Sequence, residues 1–404
     1  MGRVGSLLRN SAPKERDNVA HGASRGVEVP SLSSSPLPPA RERGARRLTD
    51  GVRAIPCQGC ALGLISILLG PLLQQAAAVD PPVRYEAAHP SMGTVYTVAA
   101  YGRDADFLAE TVNEVFEEVD RLDAQMSNYK PGSELSRINR EATREEVVVE
   151  PRLFGLIQLC LDLSKDTGGA FDITVGPLMK AWGFFRGQGR VPSPQEIRDV
   201  LKHVGYSHVH LDAARRTIHF DEPGIELDLG AKAKGYAVDR AVEILKENGI
   251  SSALVSAGTS SIYALGSPPG EKAWKISLRD PFDENKAAEV VYLKNFSLST
   301  SGNYERFFKV GGKIYSHIMD PHSGMPVEGV LSTCAFTERT TDSDGLSTAL
   351  YVLGVEASRN YLARHANIAA IFYLPSGAEK TPKRVSLQSP SYRLSPDALV
   401  EVQK

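Results

Sequence analysis

The 404-residue chain carries almost no net charge, with 46 Lys and Arg against 48 Asp and Glu. It has no basic surplus to neutralise a row of phosphates, which argues against a nucleic-acid partner. It also lacks a long hydrophobic run: the apolar stretch Ala61 to Leu73 is about 13 residues, whereas a bilayer-spanning helix needs about 20. No fixed-period repeat is present, so a solenoid or propeller is excluded. Cysteine is scarce, at four residues. Walker-A spacing is absent too, because the Gly-Ala-Lys-Ala-Lys-Gly stretch at 230–235 has no Ser or Thr after its lysine.

Hydrophobic residues make up 42% of the chain, enough for one large domain or two intimate subdomains. Residues 1–50 are rich in Ser, Pro, Gly and Arg without apolar periodicity, and are expected to be a disordered or misassigned N-terminal extension. A basic segment (Arg46, Arg47, Arg53), the short apolar run and the small residues Ala76–Ala78 then follow in the order of a signal peptide. The expected leader spans 51–79, with cleavage near Ala78 and a true start near Val52. Either general or twin-arginine export fits. Neither Cys57 nor Cys60 follows an apolar run, so no lipid anchor is expected, and this pair leaves with the leader. The mature chain, 80–404, is expected to be exported to the periplasm or another extracytoplasmic space. It keeps Cys160 and Cys334, expected as thiols in apolar surroundings.

Periodicity then organises the mature chain. Apolar positions from Leu108 to Leu122 predict a helix over Ala105 to Met126. Further helices are expected at Leu153–Thr167, Lys234–Asn248 and Asp344–Leu353. Strands are expected at Thr94–Ala100, Ile225–Leu229, Ala253–Ser256, Ile262–Leu265, Trp274–Leu278, Val290–Leu293, Ser297–Thr300 and Ile368–Tyr373, with a hairpin at Val209–Leu211 and Thr217–Phe220. Helices and strands interleave, yet hairpins join several strands. That pattern favours an α+β domain over a doubly wound parallel sheet.

The chemistry concentrates between Ser316 and Gly354. His317 and Asp320 stand three apart before a Pro/Gly turn. Asp344 and Thr348 stand four apart at the start of an apolar helical pattern, which puts a carboxylate and a hydroxyl on one face of the helix. A hard cation such as Mg²⁺ takes such oxygens and keeps positions for water and phosphate. Taken alone, Asp344 reads more readily as an N-terminal helix cap. The Gly-Ala-Lys-Ala-Lys-Gly stretch reads either as a phosphate cradle or as a plain helix start.

Several blocks taken together resemble the ApbE-type FAD:protein FMN transferases, from about His89 to Gly354. They are AFDITVGPL, DLGAKAKGYAVDR, and HIMDPHSGMP followed by DGLSTALYVLG. The resemblance implies one large mixed domain of two intimate subdomains, with antiparallel or mixed sheets and flanking helices. It implies FAD as substrate, Mg²⁺ as cofactor, and transfer of FMN to a Thr or Ser hydroxyl of an acceptor protein with release of AMP. Met92, Tyr129, Ala170, Phe171, Asp172, Asp228, Lys234 and Ile318 match cofactor-contacting positions. Asp344, Thr348, Ser347 and the Ala231 carbonyl match metal ligands. His317 matches the histidine beside the reacting phosphate, with Asp320 either orienting it or capping the turn. The implied acceptor is a flavoprotein of a membrane-linked redox complex, bearing a Ser/Thr-Gly-Ala-Thr-like stretch. Ser256–Ser261 and Asn303 depart from the family's commonest residues. Hydrolysis of FAD to FMN and AMP, or flavin carriage without catalysis, are the alternatives.

Overall fold

The computed structural model describes residues 81–377, 379–394 and 399–403. The expected extension, leader and Cys57–Cys60 pair lie outside these residues. At the centre is an eight-stranded sheet, in the spatial order Val83–Ser91, Thr94–Gly102, Ser252–Ala257, Ser261–Leu265, Phe296–Gly302, Ser332–Thr337, Ala369–Ser376 and Glu379–Gln388. Every neighbouring pair in it is antiparallel. The α+β class expected from sequence is the one found.

The side-chain period of two sorts the core between the two faces. Val98, Ala100 and Val255 point to the face covered by the Ala105–Met126 and Ala233–Glu247 helices. Ala99, Leu254, Ile262 and Leu298 point the other way, onto Trp274, Ile276, Val291 and Leu293 of a small three-stranded sheet. The first helix has the bounds its periodicity predicts. Its Leu108, Val112, Val115, Val119 and Leu122 are buried, each contributing about 1.5–3 kcal/mol. Asp104 caps it by accepting from the N–H groups of Asp106 and Phe107.

Two expectations need correction. Ile225–Leu229 is extended, with alternating burial, but joins no strand. The Asn139 side chain takes its place, accepting from Leu227 N–H at 2.8 Å and donating to Leu227 O at 3.0 Å, while Asp228 N–H reaches Ile173 O at 2.7 Å. The last predicted helix begins four residues earlier than its pattern suggests, and the assigned element runs Thr340–Leu362. It is broken at Gly354, whose φ of 70° is non-helical, so the predicted end at Leu353 coincides with a kink. Asp344 is therefore not a cap. The N-cap position is Arg339, and its side chain caps nothing.

The Ala233–Glu247 and Thr340–Leu362 helices touch at a glycine. A Cβ on Gly235 would lie 2.3 Å from the Thr340 carbonyl oxygen and 2.6 Å from Asp344 Cβ. Only hydrogen fits there. Gly235→Ala is expected to destabilise the fold by about 1–3 kcal/mol through overpacking; urea denaturation measures this, and an unchanged midpoint would contradict the contact.

Candidate active site

The helix that carries Asp344 lies on a strand of serines. In Phe296–Gly302, alternate residues Ser297, Ser299 and Ser301 face the helix, while Leu298 faces the opposite core. Ser299 Oγ is 2.7 Å from Ser343 Oγ, and Ser301 Oγ is 2.8 Å from Ser347 Oγ and 3.0 Å from Thr348 Oγ1. Small side chains let the helix approach the sheet, and each of these hydroxyls finds a partner. Thr348 and Ser347 are thereby held on the face that Asp344 shares.

Asp344 is buried at 4% exposure. Its Oδ2 accepts from Gly235 N–H at 2.8 Å, and its Oδ1 from Ser261 Oγ at 2.9 Å. Burial pushes its carboxyl above the usual carboxylate range, against the pull of Lys234. No ammonium or guanidinium pairs with it among the described residues; Lys234 Nζ instead donates to Gly230 O at 2.9 Å. This donor set suits a hard divalent cation. A buried carboxylate compensated only by neutral donors gains most from a cation, and Mg²⁺ is satisfied by one or two carboxylates with phosphate and water completing its shell. Asp344, Thr348, Ser347 and the Ala231 carbonyl, in the turn entering the Ala233 helix, are the groups that would hold it.

His317 is half-buried at the end of the Lys313–Ser316 strand. Its Nδ1 lies 3.1 Å from the Arg306 carbonyl oxygen. A carbonyl only accepts, so Nδ1 carries the proton and Nε2 keeps a lone pair. Burial pushes the imidazole down to about 3, and the charges of Arg306 and Lys234 act in the same direction. The ring is neutral at neutral pH, with a basic nitrogen unused by Arg306.

Asp320 does not orient His317. Its oxygens accept from His322 N–H at 3.0 Å and Ser323 Oγ at 2.7 Å, so it builds the turn at 320–324. His322 Nε2 then lies 3.0 Å from Gly168 O, and Trp182 Nε1 donates to Gly324 O at 2.9 Å. Those bonds bring the histidine block against the Gly168–Asp172 block. Asp172 is likewise internal, accepting from Thr174 and from Tyr206 N–H. Ala170 and Phe171 are buried beside it, and Asp228 joins this region through Ile173 while accepting from Gly230 N–H. Ile318 is buried in the cluster with Val330 and Leu350.

Met92 and Gly93 form the two-residue turn between the first two strands, with φ of 49° and 70°. Two positive φ angles are what a type I′ hairpin needs, and methionine is an unusual occupant of the first. The Met92 sulfur accepts from Tyr96 Oη at 3.0 Å. Tyr129 is 46% exposed and stacks on Phe185, with centroids 4.5 Å apart. An exposed aromatic face of this kind offers a platform to a flat ring.

Sequence reasoning missed several residues of the site. Ser261 and Ser301 bond to the Asp344 and Thr348 side chains; in sequence Ser261 shows only as part of the departing Ser256–Ser261 stretch, and Ser301 only as one of several hydroxyls in its strand. Glu305 gave no signal. Burial pushes it up to about 7, with Asp344 acting in the same direction and Lys234 against, and its Oε1 is buried without a hydrogen-bond partner.

A model described as the ApbE family matches residues 92–372. The FAD:protein FMN transferase of Treponema pallidum is 34% identical over 307 residues, covering 72% of this chain and 84% of that protein. The FAD:protein FMN transferase of Salmonella typhimurium is 28% identical over 345 residues, covering 84% and 98%. The crystal structure of apo Pseudomonas stutzeri flavinyl transferase ApbE superposes with a TM-score of 0.67 at 32% identity, covering 76% of this chain and 95% of that one.

His317 is expected to stay as the neutral Nδ1–H tautomer from pH 8 to pH 5 in ¹⁵N-edited imidazole spectra. Titration near its ordinary value of 6.5 would contradict the burial effect. The sign for stability follows. The unfolded chain binds this proton below about 6.5 and the folded chain only near 3, so this group contributes nothing above the window and favours unfolding as pH falls through it.

Proposed function

The chain belongs to the ApbE family, and from that premise we propose that it transfers FMN from FAD to a Thr or Ser hydroxyl of an acceptor protein, releasing AMP. The observation that carries the reading is the buried Asp344 carboxyl, hydrogen-bonded by Gly235 and Ser261 and sharing a helix face with Thr348. Flavin transfer is what the names of its relatives state for those proteins.

The reaction is a phosphoryl transfer, in which positioning and charge neutralisation do most of the work. The acceptor oxygen forms a bond to the FMN-side phosphorus, and the bond from that phosphorus to the bridging oxygen breaks, so AMP leaves with that oxygen. The acceptor's proton passes to His317 Nε2, whose lone pair is kept free by the Nδ1 bond to Arg306 and whose basicity, low while Arg306 and Lys234 act on the ring, rises when the diphosphate's negative charge offsets those cations. Lys234, at the start of the Ala233 helix, adds positive charge beside the diphosphate. Tyr129 supplies an aromatic face for the isoalloxazine. Bound Mg²⁺ would supply charge neutralisation to the diphosphate, held by Asp344, Thr348, Ser347 and the Ala231 carbonyl.

The leader pattern supports a reaction outside the cytoplasm. The acceptor would be a flavoprotein with a Ser/Thr-Gly-Ala-Thr-like stretch, within a membrane-linked redox complex.

The test mixes purified protein, FAD, Mg²⁺ and a peptide bearing that stretch, and reads peptide mass. A gain of one FMN on the peptide is expected; free FMN and AMP with an unmodified peptide would make the protein a hydrolase, and unchanged bound FAD a carrier. Asp344→Ala is expected to abolish metal-dependent turnover, and full activity would sink the metal assignment. His317→Ala is expected to slow transfer by about 10²–10⁴-fold with FAD affinity retained. Unchanged rates would remove its role as base.

A further inference from the structure

We infer that Asp239 is a positioning residue for the metal-ligand helix, an inference that rests on the metal-dependent reading above. The Thr340–Leu362 helix starts without a cap of its own, because the Arg339 side chain bonds none of the free N–H groups. Asp239, on the other helix, takes that role. Its Oδ1 accepts from Thr340 N–H at 2.7 Å, and its Oδ2 from Thr341 N–H at 2.8 Å and Thr341 Oγ1 at 2.6 Å. The carboxylate also lies at the helix end where negative charge is favourable.

Satisfying those donors would need no second helix, since an Asp or Ser at 339 could do it locally. What the cross-helix cap adds is a fixed register. Gly235 and Asp239 are four apart on one helix face, and they engage Asp344 and Thr340–Thr341, one turn apart on the other. Two attachments a turn apart fix both sliding and rotation. The Ala233 helix is entered through Ala231 and carries Lys234; the Thr340 helix carries Asp344, Ser347 and Thr348. Asp239 therefore sets the reach between the two halves of the cation site without touching the cation. Such outer groups typically change metal affinity by 10–100-fold.

The test separates register from capping. The full chain loaded with FAD is titrated with Mn²⁺, free Mn²⁺ is read by electron paramagnetic resonance, and Tm is measured in parallel. Asp239→Ala is expected to lower both Tm and Mn²⁺ affinity. Adding Arg339→Asp, which restores a local cap, is expected to recover Tm while affinity stays at least about tenfold weaker than wild type. Wild-type Mn²⁺ affinity in that double variant, or in Asp239→Ala alone, would overturn the inference and leave Asp239 a cap. If Asp239→Ala does not fold, Asp239→Asn, which keeps one acceptor oxygen, is read against the same two outcomes. A wild-type protein that binds no Mn²⁺ would instead overturn the metal reading and this inference with it.

Discussion

The close approach of two helices at Gly235 is the constraint on which the rest of this structure depends. A hydrogen in place of a side chain lets the Thr340 carbonyl and the Asp344 Cβ come within van der Waals range of the Ala233 helix backbone. The same approach delivers the Gly235 N–H to Asp344. On its other side, the Thr340 helix is drawn to the sheet by Ser297, Ser299 and Ser301, whose hydroxyls meet Ser343, Ser347 and Thr348. The helix is thus set by small residues from both directions. Apolar packing alone would hold it just as tightly, but would leave no oxygen facing the site.

Electrostatics follow from that placement. Asp344 is buried beside neutral donors, Lys234 is tied to Gly230 O, and His317 is uncharged. The buried Asp344 carboxyl, which has no ion-pair partner among the described residues, and a free imidazole nitrogen share a region with Lys234 and Arg306. A diphosphate with a divalent cation complements such a site in charge, whereas a neutral substrate would leave Asp344 uncompensated. Glu305 adds a second buried carboxyl to the same field.

Much of the fold was legible because its elements obey simple periods. The Ala105–Met126 helix follows from spacing because it packs one apolar stripe on the core, and the strands around Val98, Val255, Ile262 and Leu298 read as short buried runs because both faces of their sheet are covered. The failures have specific causes. Ile225–Leu229 has a strand's burial pattern, but a side-chain amide, Asn139, 88 residues away supplies its hydrogen bonds. The Thr340 helix starts earlier than its local signals because its cap is Asp239, 101 residues distant. Asp320 left two readings open in sequence, orienting His317 or capping its turn, and His322 and Ser323, nearer along the chain, decide for the turn.

By itself the sequence determined the α+β class, the main helices and strands, and the family. These depend on local periodicity and on short motifs, and both are written along the chain. Only the tertiary structure decided that Asp344 is buried inside its helix rather than capping it, that His317 carries its proton on Nδ1, and that Ser261, Ser301 and Asp239 bond to the helix bearing Asp344 and Thr348. Each of those depends on a hydrogen bond or a desolvation created when distant segments meet, and no local pattern encodes the meeting.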